Sequence, residues 1–267
     1  MPRPLALLVI VLLTAMLAAC GGGGGAATPS PSPVVTPPPT ASASADISVL
    51  MFGNSHSSVS GLSDMLEAML RAGRPGKTVA VVVAPDYLFL DERFTDPESH
   101  RLLDSQKWSA LILQAQKYSA SGQFEYSTAS AVEWVRQARV KGTLAVMFPE
   151  WSRRGIDETQ RIYDLHVSIA QQQSACVAPI PQAWDLAAQH IPGVVLHADD
   201  GNHAAPNGAY LAALMLYATL TGDSPAAVPD LQGFGVTGAM QVRLRAVADE
   251  QVHLLAPRQW CPNDARL

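Results

Sequence analysis

The sequence predicts an α/β protein with three layers, α/β/α, around a mainly parallel, flavodoxin-like sheet of five strands. Three observations predict it. Short apolar runs alternate with longer helical patterns, which implies parallel strands joined by right-handed crossovers. The strand runs are nearly continuous in apolar residues, as burial on both faces requires. The helical stretches place their apolar residues three and four apart, on one face.

The first strand is expected at 47–52, ending in Gly53. A helix follows, with Leu62, Met65, Leu66, Met69 and Leu70 on one face and Gly73 and Gly76 at its end. Residues 78–84 are rich in β-branched side chains and read as the second strand. A helix around 98–105 leads to a third strand at 108–113, and a helix at 129–140 to a fourth at 144–148. Trp134 and, further on, Trp184 lie on helix faces and are expected in the core. Residues 157–173 read as helix, 176–180 as a short fifth strand, and 181–189 as a helix opening with proline. Residues 205–221 form a long helix that is apolar all round, closed by Gly222.

The domain is expected to start at Asp46. Before it, Arg3 precedes an uncharged apolar run of about fifteen residues, shorter than the roughly 20 needed to span a bilayer. The run ends in Leu17-Ala18-Ala19-Cys20, which resembles the lipobox of bacterial lipoproteins. That resemblance implies removal of residues 1–19 as a signal peptide and lipidation of Cys20, the membrane anchor. Residues 21–45 read GGGGGAATPSPSPVVTPPPTASASA. Such a segment buries too little apolar surface to fold, and its proline-rich half is expected to be extended. The expected location is the cell envelope, facing away from the cytoplasm. Gly21 does not resemble the Asp that often retains lipoproteins at an inner membrane, so an outer membrane is expected where the cell has one.

The formal net charge is −5, and loss of Arg3 with the leader makes it about −6. No basic run interleaved with aromatics is present, which argues against a nucleic-acid partner. Beyond Cys20, only Cys176 and Cys261 remain, a pair expected to bond in an oxidising compartment.

Ligands of parallel α/β sheets bind beyond the carboxyl ends of the strands. After the first strand stands Gly53-Asn54-Ser55-His56-Ser57. A serine on a strand-to-helix turn suits a nucleophile, because a nearby backbone N–H stabilises negative charge. Ser55 or Ser57 is equally suited to capping the next helix. Before the long apolar helix stands Asp199-Asp200-Gly201-Asn202-His203. A histidine there accepts a hydroxyl proton near neutral pH, and a carboxylate holds its tautomer. His197, Asp199 and His203 do not have a strong zinc spacing, so no metal is expected.

Gly53-Asn54-Ser55 together with Asp200-Gly201-Asn202-His203, the latter running into Ala204-Ala205-Pro206-Asn207-Gly208, resembles the SGNH hydrolase superfamily of GDSL-like esterases. The resemblance covers roughly residues 47–222. It implies Ser55 as nucleophile, His203 as general base and Asp200, rather than Asp199, as its orienting carboxylate. It also implies an esterase that needs no cofactor and acts on a small-molecule or glycan ester.

The middle of the chain departs from that pattern. The second block, Val83-Ala84-Pro85-Asp86-Tyr87, lacks the usual glycine. The third, Leu113-Gln114-Ala115-Gln116-Lys117, carries glutamines where an asparagine is common. The Ser55 N–H and a glutamine amide, Gln116 first and Gln114 second, are the expected oxyanion donors. His56, Glu150 and Trp151 are expected to line the substrate cleft. A non-catalytic envelope-binding protein on the same fold and an acyltransferase are the alternative readings.

Overall fold

The computed structural model describes residues 45–267. The leader at 1–19, Cys20 and nearly all of the spacer lie outside the described residues. Strands β1 (Ile47–Phe52), β2 (Val79–Val83), β3 (Ala110–Leu113), β4 (Leu144–Met147) and β5 (Cys176–Val177) form one sheet. Its order is β2-β1-β3-β4-β5 and every pairing is parallel. This is the expected flavodoxin-like arrangement. Val49 sits opposite both Val81 and Ala110, and Ile112 opposite Val146.

Successive strand residues point to opposite faces, so the sheet divides the core in two. Val49, Met51, Ile112 and Val146 pack on α1 (Leu62–Gly73), α6 (Ile180–His190), α7 (Pro206–Thr221) and α8 (Gly238–Leu254). Leu50, Phe52, Leu111, Leu113 and Met147 pack on α2 (Leu90–Thr95), α3 (Pro97–Asp104), α4 (Ala129–Val140) and α5 (Thr159–Gln172). Each large apolar side chain buried in this way contributes about 1.5–3 kcal/mol. Trp134 and Trp184 are both buried, as expected.

Every residue of α7 from Gly208 to Thr221 is buried, which is why its sequence shows no polar face. Gly222 ends it in the left-handed region, at φ +71°, with its N–H on the Ala218 carbonyl at 2.8 Å. Cys176 on β5 is bonded to Cys261, tying the C-terminal segment to the sheet across 85 residues.

Three details differ from expectation. The fifth strand stops at Val177, and Ile180 already belongs to α6, because Pro179 and Pro181 supply no N–H to a strand ladder. Helix α2 was not expected; it is six residues long and is held at its start by Glu92, which accepts the Phe89 N–H at 2.9 Å. Helix α8 was not expected either. Its buried stripe of Leu244, Val247 and Ala248 is diluted by Gln241 and Gln251. Gln241 is buried at no hydrogen-bond cost, since its amide pairs with Leu231 N and O and with Val236 O.

Candidate active site

β1 carries the chain out of the core into a tight turn. A Cβ at Gly53 would stand 2.5 Å from Gln114 Oε1 and 2.6 Å from Ser57 Oγ, so glycine is required there. Asn54 organises the turn. Its Oδ1 accepts the His56 N–H at 3.0 Å and His56 Nδ1–H at 3.1 Å, and its carbonyl accepts Ser57 N–H at 3.1 Å and Ser57 O–H at 2.6 Å. Ser57 is therefore the structural serine, fully buried. Ser55 is half-buried and faces a cleft of about 820 Å³.

The second segment is a closed loop before α7. A bridge between His197 and Ala204 pins its base, and Gly201 takes φ +70° at its tip. Asp200 Oδ1 accepts the N–H groups of Asn202 and His203, both at 2.9 Å. Its Oδ2 lies 2.5 Å from His203 Nδ1, and His203 Nε2 lies 2.8 Å from Ser55 Oγ. The bond from His203, then the two backbone N–H groups, hold the Asp200 carboxyl well below the ordinary carboxylate range. An ionised carboxylate only accepts, so Nδ1 carries the imidazole proton and Nε2 is left to accept from Ser55 O–H. Asp199, the neighbouring carboxylate, is exposed and makes no hydrogen bond among the described residues.

Two solved structures are similar to this chain in fold. A candidate SGNH hydrolase from Slackia heliotrinireducens is 22% identical with a TM-score of 0.52, covering 64% of this chain and 97% of that one. A DUF4886 family protein from Bacteroides uniformis is 18% identical with a TM-score of 0.60, covering 78% of this chain and 95% of that one. The chain has the SGNH hydrolase fold. At identities this low the likeness carries the fold and no substrate. No family model matches the sequence, and no curated protein matches it either.

On that SGNH scaffold the third-block glutamines are not free donors, which corrects the expected oxyanion site. Gln116 reaches the cleft, but its Nε2 donates to the carbonyls of Lys117 at 3.0 Å and Ser127 at 3.2 Å. Gln114 is fully buried; its Oε1 accepts Asn54 N–H at 2.9 Å and its Nε2 donates to Glu150 Oε2 at 2.7 Å. The Ser55 N–H, by contrast, is spent on no partner among the described residues.

Of the residues expected to line the cleft, His56 and Glu150 do so. His56 stacks on the His203 ring, with centroids 5.0 Å apart, and burial then the nearby His203 lower its pKa to about 4. It is neutral near pH 7. Burial pushes the Glu150 carboxyl up to about 7. Trp151 is a correction: it does not line the cleft but lies beneath it. Its ring stacks on Trp184 at 4.5 Å, and its Nε1–H holds the Asn202 carbonyl at 2.8 Å, bracing the His203 loop. Arg154 braces the same loop through the carbonyls of His197 and Ala198. Among the described residues no three His, Cys, Asp or Glu side chains gather as a metal site would require.

One residue escaped the sequence entirely. Arg93 on α2 is buried, and its guanidinium donates to Gly53 O at 2.8 Å, Asp86 O at 2.6 Å and Pro85 O at 3.1 Å. It thus ties the second-block turn, where Asp86 takes φ +62°, to the turn that carries Ser55. Its charge is met by carbonyl dipoles rather than by a carboxylate, and burial lowers its pKa.

Proposed function

We propose that this chain is a serine esterase that removes short acyl groups by a Ser55–His203–Asp200 mechanism. The observation that carries the reading is the continuous contact from Ser55 Oγ to His203 to Asp200, at 2.8 and 2.5 Å, open to a cleft. As Ser55 Oγ bonds to the ester carbonyl carbon, its proton passes to His203 Nε2, and Asp200 stabilises the imidazolium. The Ser55 N–H donates to the tetrahedral oxyanion. Collapse expels the alcohol, which leaves with the proton from His203. Water, deprotonated by His203, then attacks the acyl-enzyme, releasing the acid and restoring Ser55.

The substrate in this reading is a short acyl ester on envelope or extracellular carbohydrate. The exposed rings of Phe124 and Tyr126 along the cleft support it, as faces on which a sugar can stack. Lipid on Cys20 would hold the enzyme at a membrane, a reading supported by the lipobox and the spacer. No described helix is long and apolar enough to cross one. Replacing Cys20 by alanine should move the protein from the membrane fraction to the soluble one.

Hydrolysis of p-nitrophenyl acetate tests the chemistry. Ser55→Ala should abolish turnover, and full activity in that variant would end the assignment. Product analysis with and without an added sugar acceptor separates hydrolysis from acyl transfer.

A further inference from the structure

Glu150 stands just beyond β4 with a carboxyl that no cation neutralises directly. The cations that line the same cleft are committed elsewhere: Arg153 bonds Glu158 at 3.1 and 3.2 Å, and Lys117 bonds Asp91 and Glu92 at 2.9 and 3.0 Å. What Glu150 does hold is Gln114. The Gln114 Nε2 donates to Glu150 Oε2 at 2.7 Å, and Gln114 Oε1 accepts Asn54 N–H at 2.9 Å. One hydrogen-bonded chain therefore runs from the end of β4, through the end of β3, to the residue preceding Ser55.

The direction of that chain is forced. An amide has one accepting end and one donating end. Gln114 can serve Asn54 N–H only with its Nε2 turned away, towards an acceptor. Glu150 is that acceptor. With the amide flipped, Nε2 would face the Asn54 N–H, donor against donor. Gly53 completes the fit, since a Cβ there would fall 2.5 Å from Gln114 Oε1.

The geometry points to Glu150 as a positioning residue: acting through Gln114, it fixes the peptide ahead of Ser55 and so the approach of Ser55 to His203. This rests on the reading of Ser55 as the nucleophile. Glu150 itself touches no reacting atom in this role.

The test measures kcat and KM for p-nitrophenyl acetate, and Ser55 labelling by a fluorophosphonate, in E150L, E150Q, Q114L and the E150L/Q114L double variant. E150L leaves Gln114 Nε2 without its acceptor. It should lower kcat roughly 10- to 100-fold with KM within about 3-fold, the pattern of misplaced rather than missing chemistry. E150Q offers an oxygen to the same donor and should recover most of that loss. The double variant should be no worse than the more severe single one, because both cut one chain. Should E150L not fold, E150D, one methylene short of Gln114, carries the same prediction. A folded E150L or E150D with wild-type kcat, an E150Q as damaged as E150L, or additive losses in the double variant would each overturn the positioning role. Absence of both turnover and Ser55 labelling in the wild-type protein would instead remove the nucleophile reading, and the inference with it.

Discussion

Ser55 Oγ and His203 Nε2 lie 2.8 Å apart although 148 residues separate them in the chain. Two local structures bring them together at the carboxyl end of the sheet. One is the turn that Asn54 closes after β1; the other is the loop that Asp200 and Trp151 hold before α7. They also meet away from the reacting atoms, where Ser60 O–H donates to the Ala204 carbonyl at 2.7 Å and His56 stacks on His203, so loss of one functional side chain should leave the scaffold intact.

The carboxylate assignment follows from this. Asp200→Asn should lower kcat/KM roughly 10²- to 10⁴-fold, because it disturbs the tautomer that leaves Nε2 free to accept. Asp199→Asn, one residue away and bonded to nothing among the described residues, should leave kcat/KM within about 2-fold. Steady-state kinetics on both variants check the pair, and equal losses would contradict the assignment.

Gln116 provides a second contrast. A true oxyanion donor is worth about 10²–10³ in rate. Both Gln116 amide hydrogens are already directed to backbone carbonyls, so Gln116→Ala should cost less than about 5-fold in kcat. A loss of 100-fold would mean that the amide turns into the site when substrate binds.

The pH dependence of stability isolates Glu150. Its folded pKa of about 7 lies above the ordinary 4.5. Between those values the folded protein retains a proton that the unfolded chain has released, so this group's contribution falls as pH rises through the window and is level above it. The difference amounts to at most roughly 3 kcal/mol. The groups facing it are Gln114, Glu158, Arg153, His203 and Tyr118. His56 and His166, both lowered to about 4 by burial, act with the opposite sign over nearly the same range. Comparing Glu150→Gln with wild type removes them. The variant should gain in Tm relative to wild type as pH is raised from 5 to 8, and parallel Tm curves would contradict the desolvated carboxyl.

The disulfide closes a long loop. Breaking Cys176–Cys261, whose ends are 85 positions apart in sequence, should cost about 4–5 kcal/mol in the chain-entropy account. Urea unfolding of Cys176→Ser/Cys261→Ser reads this directly. Neither cysteine lines the cleft, so the double variant should keep its kcat wherever it remains folded.

The sheet was readable because its strands are buried on both faces and therefore apolar throughout, as in the run at β1. The end blocks of the site were readable because each packs its own geometry into a few consecutive residues, Gly53 to Ser55 and Asp200 to His203. The unread parts depend on distant partners. Which way the Gln114 amide turns is set by Glu150, 36 residues on, and the Gln116 amide is taken by Ser127 O. Trp151 follows a strand, where ligand-facing residues are expected, yet its stacking on Trp184 draws it under the cleft. Arg93 is partnered by three backbone carbonyls and the Ser99 hydroxyl, with no carboxylate, and no spacing of charges in the sequence announces that. In α8 the two buried glutamines, Gln241 and Gln251, broke the apolar period that marks a packed helix.

The most direct measurement is the site and rate of covalent labelling by a fluorophosphonate, read by peptide mass spectrometry. The account predicts a single adduct on Ser55, none on Ser57, and labelling slowed at least about 100-fold by His203→Ala. An unlabelled Ser55 in the folded wild-type protein, or labelling there that His203→Ala leaves unchanged, would contradict it.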